Sequence, residues 1–431
     1  MRVRQNDEKR KRGTPRQALS LKRSIPLTAL FTLMTILPGY AQSTNQEILQ
    51  ELQRLRHRVE QLETEAKTQA IGDVKEPVKR GKKGISLTLS GQVNRGVLFY
   101  DDGSKSDIRS VDNDNSSTRV RFVGKGKINE EWSAGTLIEV QFESNSTANV
   151  NQLNERGVGP DSFTQRKLEL WFQSDTLGRL TLGQGDTASN GTSERDLSGT
   201  TVIGYSGISD LAGGLIVRNS GTNSLGVDLN ADGDFADAGE STNTNLGSAF
   251  SNLDGLSRDD RIRYDTPRVA GFHVGASVIE GNRWDASLDY KGKLAGLKLD
   301  GAVAFSKRRE DVKRINGSFS ALHAPSGLSL TVAAGQDKMT GPRDPVFYYI
   351  KGGYQANLVS WGKTAFSVDY YKAEEMVVNR DDSTSFGVQL VQNIDRVATE
   401  LYIGFRNYDY DQRGTNFDDV SAILAGARIK F

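Results

Sequence analysis

Ile85-Ser86-Leu87-Thr88-Leu89-Ser90-Gly91-Gln92-Val93 carries apolar residues or glycine at its odd positions and polar residues at its even ones. From Trp132 to Glu143 the pattern returns with Trp132, Ala134, Ile138, Val140 and Phe142 on even numbers. The last segment repeats it, as Ile423, Ala425, Ala427, Ile429 and Phe431 alternate with Leu424, Gly426, Arg428 and Lys430. A period of two over such lengths predicts β-strands whose two faces meet opposite solvents.

Working outward, sixteen such segments are read at 85–99, 117–128, 132–144, 163–175, 178–184, 259–266, 271–280, 284–294, 297–308, 312–323, 328–337, 345–356, 363–373, 383–392, 398–408 and 419–431. Most have at least nine residues, enough for a tilted strand to cross a hydrocarbon core. Asn129-Glu130-Glu131, Ala295-Gly296, Ala324-Pro325-Ser326-Gly327 and Asn393-Ile394-Asp395 read as tight turns. Most intervening connections are longer, and 185–257 is by far the longest. Short turns on one side and long loops on the other describe an outer-membrane barrel. The expected fold is therefore all-β: a 16-stranded antiparallel transmembrane β-barrel with both ends at the periplasmic side. A soluble sandwich is the competing reading. It is disfavoured by polar faces on strand after strand and by aromatics suited to interfacial girdles, among them Trp132, Trp171, Phe172, Trp284, Tyr290, Trp361, Tyr370, Tyr371, Tyr402 and Phe405.

Composition agrees. Apolar residues make up 36% and charged residues 25%, a balance suited to a barrel with a wet lumen and a greasy exterior. The absence of cysteine excludes disulfides, thiolate nucleophiles and Cys-based metal sites. The net charge of +1 conceals an asymmetry, because residues 1–41 hold nine Lys/Arg and two Asp/Glu. Without them 46 basic and 52 acidic residues remain, which argues against a nucleic-acid partner.

Residues 1–41 read as a secretory signal: a basic region ending in Lys22 and Arg23, an apolar run from Ile25 to Leu37, and Gly39-Tyr40-Ala41 as a cleavage site. In 42–69, Ile48, Leu52, Leu55, Val59, Leu62 and Ala66 are spaced alternately by four and three, the seam of a coiled coil, expected in the periplasm. A linker over 70–84 carries Lys75, Lys79, Arg80, Lys82 and Lys83, suited to solvent, anionic lipid or a cell-wall polymer such as peptidoglycan. The barrel occupies 85–431.

Arg261-Ile262-Arg263-Tyr264-Asp265-Thr266-Pro267, followed by Ala270-Gly271-Phe272, is similar to a hairpin of the Gram-negative general porins. Leu89-Ser90-Gly91-Gln92-Val93-Asn94-Arg95 resembles the first strand of that family, particularly its alphaproteobacterial members. Phe431 matches the C-terminal aromatic that the barrel-assembly machinery reads as an outer-membrane signal. The resemblance covers 85–431 and implies a homotrimer in outer-membrane lipid, with a third loop folded into each barrel as a constriction. It implies passive diffusion of small hydrophilic solutes. A substrate-specific channel, and an envelope anchor working through the coiled coil, are the alternatives.

Strand phase turns Val120, Phe122, Gly124 and Gly126 to lipid, hence Arg119, Arg121, Lys125 and Lys127 to the lumen. The same reasoning sends Lys167, Glu169, Arg261 and Arg263 inward. If 185–257 folds inward as in the family, its acids oppose this basic wall. The expected eyelet sets Arg119, Arg121 and Arg263 against Asp186, Glu194 and Asp196. Further along the loop, Asp228, Asn230, Asp232, Asp234, Asp237 and Glu240 bring oxygen ligands at nearly alternate positions, with Gly233 sixth. Gly239 stands where an EF-hand needs its bidentate Glu, so the pattern admits an irregular Ca2+ loop or a solvated acidic turn. No cofactor is required. His57, His273 and His323 lack a neighbouring nucleophile motif, and an enzyme is not expected.

Overall fold

In the computed structural model, residues 84–156, 163–227, 229 and 239–431 are described. The expected signal, coiled coil and nearly all of the linker lie outside them. Sixteen staves form one closed antiparallel barrel: β1 (Ile85–Asp101), β2 (Ser106–Asp112 and Arg119–Lys127), β3 (Trp132–Phe142), β4 (Phe163–Ser174), β5 (Gly178–Asp186), β6 (Arg258–Asp265), β7 (Phe272–Ile279), β8 (Arg283–Leu294), β9 (Leu297–Arg309), β10 (Val312–His323), β11 (Leu328–Met339), β12 (Val346–Val359), β13 (Gly362–Glu374), β14 (Asp381–Ile394), β15 (Thr399–Gln412) and β16 (Val420–Lys430). Each pairs with its neighbours in sequence, and β16 returns to β1 with Gln92 opposite Lys430 and Asp101 opposite Ser421. Closure leaves no edge strand, a requirement in lipid, where an unpaired backbone group finds no water.

The stave expected at 117–128 begins earlier, at Ser106. It is broken at Asp114–Ser116 by a short 3-10 turn capped by Asn113, whose side chain accepts from the Asn115 N–H. Polar residues bonding to nearby backbone compete with the ladder and hide the continuation. At the seam, Phe431 and Gly91 exchange main-chain bonds of 2.8 and 3.0 Å. A Cβ on Gly91 would lie 2.5 Å from the Phe431 ring and 2.7 Å from the Arg119 carbonyl, so only glycine fits beneath the terminal aromatic.

The outer face is apolar, with Leu89, Val93, Val97, Ile262, Val274, Leu330 and Ile350 bare for hydrocarbon. Among the aromatics expected in girdles, Phe172, Trp284, Trp361, Tyr370 and Phe405 do face outward. Trp171, Tyr371 and Tyr402 do not: at 5%, 0% and 4% exposure they are buried inside. Residue type cannot distinguish an interfacial ring from an internal one; strand phase can, since Tyr370 and Tyr371 must point to opposite faces.

Inside lies a compact apolar core, unlike a lumen wetted all round. Loop 3 spans residues 187–257, between β5 and β6, and its described residues include a segment that enters the barrel. Its Val202, Ile203, Ile208, Leu211, Leu215, Leu246 and Phe250 are buried together with wall residues Leu98, Tyr100, Phe347, Tyr371, Val391, Tyr408 and Leu424. The Phe250 ring packs against Tyr408 at 5.0 Å and Tyr371 at 5.9 Å. Burying such side chains contributes roughly 1.5–3 kcal/mol each, enough to hold a long segment in place.

Candidate channel constriction

Loop 3 is fastened by the lumen-facing polar residues of β7–β13, which serve its backbone. Ser277 Oγ accepts from the Ala188 N–H at 2.7 Å, Ser318 Oγ from Arg195 N–H at 2.8 Å, and Ser320 Oγ from Leu197 N–H at 2.9 Å. Lys351, fully buried on β12, donates to Asp196 at 2.8 Å and to the Gly204 carbonyl at 2.6 Å. The return limb is tied by Tyr371 Oη to the Ser251 carbonyl and by Arg314 to the Gly255 carbonyl, at 2.7 and 3.1 Å. Buried backbone groups need such partners, and loop 3 obtains them from the wall.

What remains open is a cavity of about 1000 Å³ between loop 3 and the wall, bordered by β2–β6 and also by residues of β8–β11 such as Arg283, Arg308 and Arg314. Arg119, Arg121, Arg166, Lys167 and Arg258 line it on the wall side; Glu194, Asp210 and Asp254 line it from loop 3, joined by Asp114. Glu139 on β3 is buried beneath three guanidinium groups. It binds Arg121, Arg166 at 2.9 Å and, more distantly, Arg119 at 3.7 Å. One carboxylate cannot neutralise three arginines, so this wall keeps an excess of positive charge. Lys167 pairs with Asp186, and Arg258 stands 4.0 Å from the same carboxylate.

The four acids of the opposite lobe make no ion pair with a described residue. Burial pushes Glu194 well above the usual carboxylate range, and the neighbouring Asp254 and Asp210 push it further. Burial and then Asp114 raise Asp210, against the Tyr205 hydroxyl that donates to it. Burial raises Asp254 too, opposed by N–H groups of Ser193 and Gly191 at 2.9 and 2.5 Å.

The residues expected at the eyelet are thus distributed over three places. Arg119, Arg121 and Glu194 border the same cavity from opposite sides. Asp186 also borders it, but from the basic wall at the end of β5, where it partners Lys167. Asp196 is sealed against Lys351 at 1% side-chain exposure and does not face the passage. Arg263 lies below, in a second cavity of about 670 Å³, bound to Asp265 at 2.8 Å. A buried loop needs charged anchors as well as lining groups, and sequence alone does not separate the two uses.

Arg166 had no place in the sequence reading. Strict alternation would turn either Arg166 or Lys167 outward, but the β3–β4 register shifts between Glu139 and Val140, and both basic side chains reach the lumen. A bulge of one residue resets the phase in this way. The two charges adjacent in sequence were its signal. Asp228, Asn230, Asp232, Asp234 and Asp237 lie outside the described residues. Glu240 accepts from the Leu229 N–H at 2.9 Å.

A family model described as Gram-negative porin matches residues 66–413. Among solved structures, the anion-selective porin of Comamonas acidovorans is similar at 15% identity and TM-score 0.53, over 80% of this chain and all of that one. In vitro folded OmpT, an outer-membrane protein of Vibrio cholerae, is similar at 11% identity and TM-score 0.51, over 83% of this chain and all of that one. No curated protein sequence matches the chain. Such identities speak for the fold, while the family match spans most of the sequence. A closed barrel of sixteen staves with an apolar belt, a charged passage and a loop folded inside it belongs to the Gram-negative porin family: this chain is an outer-membrane channel for passive diffusion of small hydrophilic solutes.

Proposed function

We propose that the channel favours anions, and that loop 3 sets its bore. The observation carrying this reading is the Glu139 cluster, in which Arg119, Arg121 and Arg166 share one carboxylate. Burial raises the pKa values of the carboxyls on the facing lobe, so they offset less of that charge than carboxylates of ordinary pKa would. The eyelet in this reading sets Arg119 and Arg121 against Glu194, Asp210 and Asp254. A solute leaving bulk water meets compensating charges on both sides, which favours polar over apolar molecules. Replacing Arg119, Arg121 and Arg166 together by Gln is expected to move the reversal potential in a salt gradient toward cations. An unchanged potential would reject the anion preference.

The porin acts, in this reading, as a homotrimer in outer-membrane lipid, as a channel and not an enzyme. Residues 1–41 direct secretion, and Phe431 is the feature the barrel-assembly machinery recognises. The 42–69 coiled coil stands in the periplasm, and the basic linker meets peptidoglycan. Deleting 42–84 is expected to weaken the envelope while leaving conductance intact; a normal envelope would remove the tethering role. Ca2+ at Asp228, Asn230, Asp232, Asp234, Asp237 and Glu240 is tested by calorimetry at millimolar Ca2+, where a flat trace would dismiss it.

A further inference from the structure

Two carboxylates hold loop 3 to the wall at separate points, and His273 stands between them. Asp265 on β6 binds Arg263 at 2.8 Å, and Arg263 donates to the Asp186 and Thr187 carbonyls at 3.1 and 2.6 Å, where loop 3 leaves the wall. Asp289 on β8 binds Arg195 within loop 3 and accepts from Ser287 Oγ at 3.1 Å. His273 lies on β7, between these two strands and directly opposite Asp289. Its Nε2 is 3.2 Å from Asp265 and its Nδ1 3.5 Å from Asp289. Nδ1 is buried without a hydrogen-bond partner.

The side chain keeps 18% exposure and borders the second cavity, on the periplasmic side of the constriction, so solvent protons reach it. Lys167 on β4, Arg179 on β5, Arg261 and Arg263 on β6, and Arg268 in the β6–β7 turn line that cavity, with Glu169, Asp175, Asp186 and Asp265. A neutral imidazole has one N–H and can serve one of the two carboxylates; imidazolium has two and can serve both. Free histidine changes charge near pH 6.5.

We propose that His273 is a proton-operated selectivity switch in the periplasmic vestibule. Protonation joins Asp265 and Asp289, and through them the Arg263 and Arg195 anchors of loop 3. It also adds a positive charge to the wall a solute passes after the constriction. Acid on the periplasmic side therefore makes the channel more anion-preferring and its loop more firmly seated. This rests on the channel reading alone, so it stands whether or not the arginine cluster sets the preference at neutral pH.

The test is the reversal potential of the full mature protein in planar bilayers under a KCl gradient, titrated between about pH 5 and 8, for wild type, His273→Gln and His273→Lys. The anion-to-cation permeability ratio of wild type should rise about twofold on acidification, the effect of one added charge in a wet pore. His273→Gln and His273→Lys should both lose the share of that rise due to position 273, keeping only the change from the loop carboxylates, with His273→Lys offset toward anions throughout. Loop carboxylates titrate in all three proteins, so the differences isolate position 273. Superimposable curves for wild type and His273→Gln would overturn the proposal. A wild-type-like pH response in His273→Lys would do the same, and each variant can be read alone if the other does not fold.

Discussion

At the scale of residues, protonation decides how much of the loop's negative charge a solute meets. Glu194, Asp210 and Asp254 have folded-state pKa values raised first by burial, then by neighbouring acids in the case of Glu194 and Asp210. The folded protein therefore binds more protons than the unfolded chain as pH climbs above the ordinary carboxylate range. The resulting stabilisation is present in acid and is lost as pH rises through the raised values. Thermal melting is expected to fall between about pH 5 and 8, and to fall less in the Glu194→Gln/Asp210→Asn/Asp254→Asn variant. Equal slopes in the two proteins would show that these acids carry no such linkage. The same variant should shift the reversal potential toward anions at the alkaline end.

At the scale of elements, the fastening of loop 3 rests on pairs that water does not reach. Lys351 and Asp196 have 0% and 1% side-chain exposure, and Asp196→Ala leaves the ammonium without its counter-charge. Breaking such a pair costs about 3–5 kcal/mol, most of it borne by the loop. Noisier, larger open steps and faster proteolysis between residues 190 and 210 are expected; wild-type current traces would contradict the anchoring role. Gly91→Val should lower the yield of folded, heat-modifiable protein by displacing Phe431 from the β1–β16 seam. Much of this architecture was legible beforehand, because alternation reports which face of a strand is greasy. Arg119 and Arg121 follow from Val120 and Phe122 by that rule alone. The rule fails where the ladder is interrupted, at the 3-10 turn in β2 and at the β3–β4 register shift. It is also silent on what covers an inward face: Ser277, Ser318 and Ser320 look like wet wall and in fact bind backbone, while Tyr371 and Tyr408 belong to an internal core.

At the scale of the whole molecule, the barrel divides its interior between a packed core and an open passage. Loop 3 packs against the side lined by β12–β16 and β1, and solutes are left the basic cavity bordered by β2–β6 and by residues of β8–β11. Loop 3 thus sets the bore while the wall opposite it carries the positive charge, and neither depends on the lipid-facing surface. The most direct test is single-channel recording of the purified mature protein in a planar bilayer with a salt gradient across it. Discrete, stable open steps with a reversal potential on the anion side are predicted. Absent steps, or a clear cation preference, would contradict the account of an open passage bounded by an arginine wall.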